Sequence, residues 1–417
     1  MLSRRECLAV SAASALAAGV RSDDRRPTIA FLGTMVRNLS HGQHFLDRLT
    51  AGYTWAGRWQ APRVRLAGLY IDQFPESDLA RSRAQRHGLT LHRSVEEALT
   101  LGTGKLAVDG VVIIGEHGEY PKNEKGQVLY PRYAWFKRVV KVFERSGRSV
   151  PVFNDKHLST SWKECVEMVD DSKRLKFPLL AGSSLPVTWR MPQVDLPLNA
   201  PIRECVCLAY GGIDSYDFHA YESTQCFAER RRGGETGIKS VHALRGANLW
   251  KALEAPERSG TRDLILAALC ASHTLPVESG YPTAPVSWEW FRKTMPETTA
   301  FLVEHRDGFR SAAFLTGIRD FTVAARVDGM AEPFTCLLHL PMPNRGSTTA
   351  DFFNPLIRHI EDMVLTGKTP YPVERTLLTS GMVIAGVDSL HAGQVPIQTA
   401  EMKVTYQAPE KSKYITQ

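Results

Sequence analysis

The chain has no C-x-x-C pair, no zinc-ligand spacing, no arginine-rich tail and no stripe of interleaved basic and aromatic residues. Those absences leave dithiol redox chemistry, metal fingers and nucleic-acid binding without support. Past residue 20 no apolar run is long enough to cross a bilayer. Cysteine is sparse, with seven in 417 residues. Cys205 and Cys207 alternate on one face of an expected strand and stand too close along the chain for an easy disulfide. They read as small apolar core residues. Excess charge is also small: 51 Lys and Arg against 44 Asp and Glu give +7, spread along the chain. The one dense run, Arg230-Arg231-Arg232, reads as a solvated helix end favoured by the helix dipole.

What is present begins with a charged start and an alanine-rich apolar stretch to Val20. With Ala15-Leu16-Ala17 as a cleavage pattern, residues 1–20 read as an export signal and 21–26 as a polar linker. Ser3-Arg4-Arg5-Glu6-Cys7-Leu8 resembles a twin-arginine signal, which implies a periplasmic protein folded before transport.

Two domains are expected from the length. Residues 27–190 alternate strands and helices. Val64–Asp72, Val108–Ile114 and Val150–Asn154 are strands, and Ser77–His87, Tyr133–Arg145 and Ser161–Asp171 are helices. That order predicts a Rossmann-like α/β domain whose parallel sheet binds ligands at the carboxyl ends of its strands. Residues 191–417 read as an α+β domain with a large, open, mainly antiparallel sheet. Ala300–His305 and Phe309–Leu315 flank Arg306-Asp307-Gly308, a hairpin signature. Phe321–Val327 and Phe334–Leu340 extend the sheet, and Glu401–Tyr406 is expected to close it. An open sheet of this kind often lies against the first domain or a second subunit, so a homodimer or homotetramer is expected.

The opening run Thr28-Ile29-Ala30-Phe31-Leu32-Gly33 is how a dinucleotide-binding unit starts, yet the second and third glycines of G-x-G-x-x-G are missing. Gly33 would turn the chain beneath a pyrophosphate, and amides near Ser40 and Gly42 would receive phosphate at a helix start. Asp72 ends the second strand where a ribose-binding acid stands. Glu116-His117-Gly118-Glu119-Tyr120 follows the fourth strand at the same sheet edge and offers Glu116 to a cofactor and His117 to a substrate. His41 and His44, spaced i, i+3, read as polar residues of a helix start, with no metal assigned.

Asn154-Asp155-Lys156-His157 after the fifth strand resembles the Glu-Lys-Pro segment of the glucose–fructose oxidoreductase / inositol dehydrogenase (Gfo/Idh/MocA) superfamily. Gly211-Gly212-Ile213-Asp214-Ser215-Tyr216-Asp217-Phe218-His219-Ala220-Tyr221-Glu222 is similar to the family's Gly-Gly and Asp-x-Gly-x-His-x-x-Asp signature. His219 falls on the family histidine, Glu222 on the later acid, Ser215 on the earlier one and Asp217 on the glycine. Pro372-Val373-Glu374-Arg375 resembles the family's carboxyl-terminal helix entry. The resemblance covers residues 27 to 406. It implies an NAD- or NADP-dependent oxidoreductase acting on a sugar or cyclitol. Lys156, Asp155 and His219 are then the catalytic candidates, with Asp214, Asp217 and Glu222 beside the substrate.

A histidine titrates nearest neutral pH and suits the base that takes a hydroxyl proton. A lysine suits stabilisation of the oxygen as charge develops. Two other readings share the scaffold: a cofactor-free carbohydrate lyase or hydrolase, metal-assisted or not, and a non-catalytic carbohydrate-binding relative.

Overall fold

The computed structural model describes residues 26–275, 286–341 and 349–414; the expected export signal lies outside them. The first half builds one sheet. Its strands are β1 (Thr28–Gly33), β4 (Arg65–Ile71), β5 (Leu91–His92), β6 (Gly110–Ile114), β7 (Val152–Asp155) and β8 (Leu179–Gly182). Its helices are α1 (His41–Ala51), α2 (Ala80–His87), α3 (Val95–Thr100), α4 (Arg132–Ser146) and α5 (Trp162–Arg174), with the small hairpin β2 (Tyr53–Trp55) and β3 (Arg58–Gln60) after α1.

The strands run parallel in the order β5-β4-β1-β6-β7-β8. β6 is buried along its whole length and β1 from its second residue, as continuous apolar strings covered on both faces must be. Strand order reverses between β1 and β6, which makes their carboxyl ends the ligand crevice of such a sheet. The helices start and stop on ordinary signals. Ser40 caps α1 by accepting from the Gln43 amide, and α4 ends at Gly147 in the left-handed region that glycine tolerates.

The second half adds β9 (Arg190–Met191), β10 (Ile202–Tyr210), α6 (Asp217–Ala228), β11 (Ile238–Arg245), α7 (Gly246–Glu254), α8 (Ser259–Cys270), α9 (Trp288–Thr294), β12 (Thr299–His305), β13 (Arg310–Thr316), β14 (Phe321–Val327) and β15 (Phe334–Leu338). It ends with α10 (Asn354–Thr366), α11 (Val373–His391) and β16 (Ile397–Gln398). The sheet has eight strands in the order β16-β11-β12-β13-β10-β14-β15-β9, with β10 and β13 parallel and the other neighbours antiparallel. The hairpin expected around Arg306-Asp307-Gly308 joins β12 to β13.

The sheet is open, with β16 and β9 at its two edges. Three expectations around it are corrected. Alternation along β10 sends Cys205, Cys207 and Ala209 into one core with α6 and α11. Val206 and Leu208 point the other way, against Leu249, Leu264, Ile265 and Phe291 of α7 to α9. The chain's own helices thus cover the face expected to be free. Residues 401–406 do not form a strand: β11 is edged by the shorter β16, and Tyr406 makes only an isolated bridge to Glu235. The arginine run is solvated only at Arg232. Arg230 and Arg231 are 3% and 2% exposed. Arg231 pairs with Glu235 and Asp307, and Arg230 donates to the carbonyls of Leu196, Pro409 and Glu410.

α11 locks the halves together. Val373 and Leu377 pack into the first domain's core, while Leu378 and Met382 pack into a core that both domains share. Thr376 and Tyr371 donate to the Ala181 carbonyl at the end of β8, and Ser380 receives the Leu158 amide. The carboxyl ends of β7 and β8 are thereby pressed against α11.

Candidate active site at the strand ends

β7 ends on Asp155, and Lys156 follows with φ 62, bridged to Gly182. This turn drives the Lys156 side chain inward, where it is only 4% exposed. Its Nζ lies 3.0 Å from Glu116 Oε1, and the other Glu116 oxygen receives Arg132 at 2.7 Å. Arg132, the first residue of α4, also reaches His157 Nε2 at 3.0 Å. Burial would raise the Glu116 carboxyl, but Lys156 and Arg132 overcome it and hold Glu116 well below the usual carboxylate range. Burial likewise opposes the Lys156 ammonium, and Glu116 and Asp155 reverse that effect and lift it above its ordinary value. Both groups are therefore ionised at neutral pH.

A second pair stands beside the first. His41 Nδ1, at the start of α1, lies 2.7 Å from Asp155 Oδ2. The His41 ring meets the His117 ring edge-on at 5.8 Å and Phe353 at 5.1 Å. From the second domain, α6 brings His219, boxed by Tyr216, Phe218 and Phe321. Burial, then the charge of Lys156, push His219 well below its usual pKa, and burial pushes His117 down to about 3. Both are neutral imidazoles at pH 7. Lys156 Nζ lies 5.8 Å from the centre of the Tyr216 ring, so it faces the His219 side.

Buried polar atoms without partners gather here. His117 Nε2, Arg132 Nε, Asn154 Oδ1, Asp155 Oδ1, His157 Nδ1 and His219 Nδ1 all belong to this constellation. Such atoms are costly unless a ligand or water meets them. A small molecule with several hydroxyls can donate and accept at once, which suits this mixed set.

The structure brings together Asp155, Lys156, Glu116, His117 and His219. The other candidates serve the chain itself. Asp214 accepts from Gln127 Nε2 and the Val128 amide. Asp217 accepts from the Asp214 amide, and burial lifts it to about 7. Glu222 accepts from the Ser183 amide and hydroxyl, and burial lifts it to about 7. Arg132, a site role for His157 and the His41–Asp155 pair were not expected from the sequence. The only signal for the pair was the acid preceding Lys156, since its partner lies 114 residues away. His44 stacks on Phe353 at 4.9 Å. Among the described residues no group of three or more His, Cys, Asp or Glu is arranged to hold a metal ion.

The frame for a dinucleotide is present around β1. Gly33 ends the strand, and the His41 and Gly42 amides at the start of α1 have no partner among the described residues. The crevice itself is filled. Ser40 is buried and turned onto Arg37 and Gln43, and a Cβ on Gly42 would stand 2.2 Å from the Met35 carbonyl oxygen. From β6 the chain runs back over β1 to the end of β4. Thr34 donates to the Glu116 carbonyl at 2.5 Å, Gln73 exchanges two hydrogen bonds with the Glu119 backbone, and Tyr120 donates to Asp72 at 2.6 Å. Tyr70 takes the other Asp72 oxygen at 2.7 Å. Asp72 is thus occupied where a ribose would bind. A dinucleotide fits this frame only with residues 117–120 raised, and not in the conformation seen.

No protein family and no curated protein sequence matches the chain. Solved structures do. The scyllo-inositol dehydrogenase of Lactobacillus casei is 10% identical over 91% of this chain and 99% of its own, with a TM-score of 0.54. GenD2 from gentamicin A biosynthesis, in complex with NAD, is 14% identical over 89% and 96%, with a TM-score of 0.53. The myo-inositol dehydrogenase of Lactobacillus casei, in complex with NAD(H) and myo-inositol, is 10% identical over 89% and 96%, with a TM-score of 0.52. At these identities the likeness is one of architecture, a parallel domain followed by a large mixed sheet. The chain has the two-domain fold of these dehydrogenases, the fold expected from its resemblance to the Gfo/Idh/MocA superfamily.

Proposed function

We propose that the chain is an oxidoreductase acting on a sugar or cyclitol, exported to the periplasm, with NAD or NADP as hydride acceptor. One observation carries this reading: the buried, charged Lys156 at the end of β7, held by Glu116, with its Nζ 5.8 Å from the ring of Tyr216, which itself meets the His219 ring of the second domain at 5.7 Å. The solved neighbours include cyclitol dehydrogenases, which supports the same class.

The chain's own residues handle the proton. A substrate hydroxyl between Lys156 and His219 loses its proton to the neutral His219 imidazole, whose Nδ1 makes no hydrogen bond and lies 3.8 Å from Glu222 Oε2. Lys156 donates to the oxygen as negative charge develops. Glu116 and Arg132 fix the ammonium, so little reorganisation is needed when that charge appears. His41, with Nδ1 held by Asp155, is a second imidazole able to carry the proton onward. A bound nicotinamide would supply the hydride acceptor.

One observation favours a second reading, acid–base chemistry without a dinucleotide, as in a lyase: Tyr120 and Gln73 close the crevice. Native mass spectrometry of gently purified protein separates the two. A retained nicotinamide dinucleotide supports the oxidoreductase. A bare chain that eliminates water from a polyol without added NAD or NADP supports the lyase and removes the first reading.

A further inference from the structure

Residues 115–131 form a strap across the molecule. Its first root, Glu116, and the residue after its last, Arg132, converge on each other and on Lys156. Between these roots it crosses the β1 end and fastens to β4 through Gln73 and Asp72. Its body folds back on itself, with Lys122 bridged to Val128, and fastens to the second domain. There Gln127 and Val128 donate to Asp214, and Lys125 Nζ meets Asp388 at 2.5 Å. Both halves of the chain therefore hold the strap down.

What it covers is the place where strand order reverses. The Tyr120 hydroxyl sits on Asp72 as a ribose hydroxyl would, and the Glu119 backbone sits on the neighbouring Gln73. The anchors on β4 are hydrogen bonds at the rim, where Asp72 and Glu119 are exposed. The roots, by contrast, are buried charges. Breaking rim hydrogen bonds is inexpensive; separating the buried roots is not. The segment 117–120 can thus lift while Glu116 and Arg132 stay in the site.

We propose that residues 117–120 are a gate, occupying the dinucleotide crevice of the empty protein and leaving it when a dinucleotide enters. The inference rests on the oxidoreductase reading given above. A ligand that binds only the open state has its affinity reduced by the open fraction. Loosening the rim anchors raises that fraction and tightens binding.

The test is a fluorescence titration of the full chain with NADH and, separately, NADPH, for wild type and for the double variant Tyr120→Phe, Gln73→Ala. Hydrogen exchange of the 116–131 amides is followed in parallel. Neither substitution touches the buried roots. The gate predicts that whichever of the two dinucleotides binds does so about tenfold tighter in the double variant, with 117–120 losing protection as it binds. Equal affinity in both proteins, or unchanged strap protection on binding, overturns the gate and leaves the oxidoreductase standing. If neither protein binds NADH or NADPH while the variant's strap exchanges freely, the crevice is not a dinucleotide site, and both readings fall.

Discussion

Lys156 shows how far a single residue can be read from sequence and where the reading stops. Its place after an apolar strand was legible, because β7 is a plain buried string. Its partners were not: Glu116 and Arg132 come from other elements and meet it only in three dimensions. Removing one member of such a buried set leaves an uncompensated charge. Glu116→Gln, which strands both the Lys156 ammonium and the Arg132 guanidinium, is expected to cost about 3 kcal/mol of stability in denaturant unfolding, and adding Lys156→Met should restore part of it. Glu222 makes the opposite case. Burial lifts its folded-state pKa to about 7, whereas the unfolded carboxyl titrates near its ordinary value. Between those values the folded chain holds a proton that the unfolded chain has lost, so stability falls as pH rises through that window. Glu222→Gln should therefore stabilise the protein at pH 8, on the order of 3 kcal/mol, with little effect at pH 4. Equal melting shifts at both pH values would refute this account of Glu222.

At the scale of elements, strands buried on both faces and helices with clear caps were readable in the first half. β11 and helices α7 to α9 were not. The helices face a sheet whose second side the sequence pattern left unassigned, since Val206 and Leu208 alternate with Cys205 and Cys207 and either face is apolar. The final strand failed for a related reason: apolar alternation at Met402, Val404 and Tyr406 is met by packing and a few lone ties rather than by a ladder. The loop from β1 to α1, which lacks the second and third glycines of a dinucleotide fingerprint, is dense. Close approach makes two glycines indispensable. A Cβ on Gly42 would meet the Met35 carbonyl oxygen at 2.2 Å, and one on Gly68 would meet the Ala98 carbonyl oxygen at 2.0 Å. Gly68→Ala should push α3 off β4 and destabilise by roughly 1–3 kcal/mol. Gly212→Ala, where nothing lies within 4 Å, serves as the control and should be near neutral in the same thermal melts.

The whole molecule joins a parallel domain to a mixed sheet through α11 and the strap, and the site lies where these meet. The two-domain order was visible because alternating strand and helix patterns give way to long strands midway. The constellation was visible only in part. Lys156, Asp155 and His219 stood on motif positions, whereas the closed crevice depends on Tyr120 and Gln73, which no local pattern marks. The central claim is that this constellation moves a proton while a dinucleotide accepts hydride. Its most direct test is reduction of NAD or NADP by the purified full chain across a panel of sugars and cyclitols, with Lys156→Ala and His219→Ala alongside. The account predicts turnover on at least one polyol, lost by about a hundredfold or more in both variants. Reduction of neither dinucleotide with any polyol, or full activity in Lys156→Ala, would contradict it.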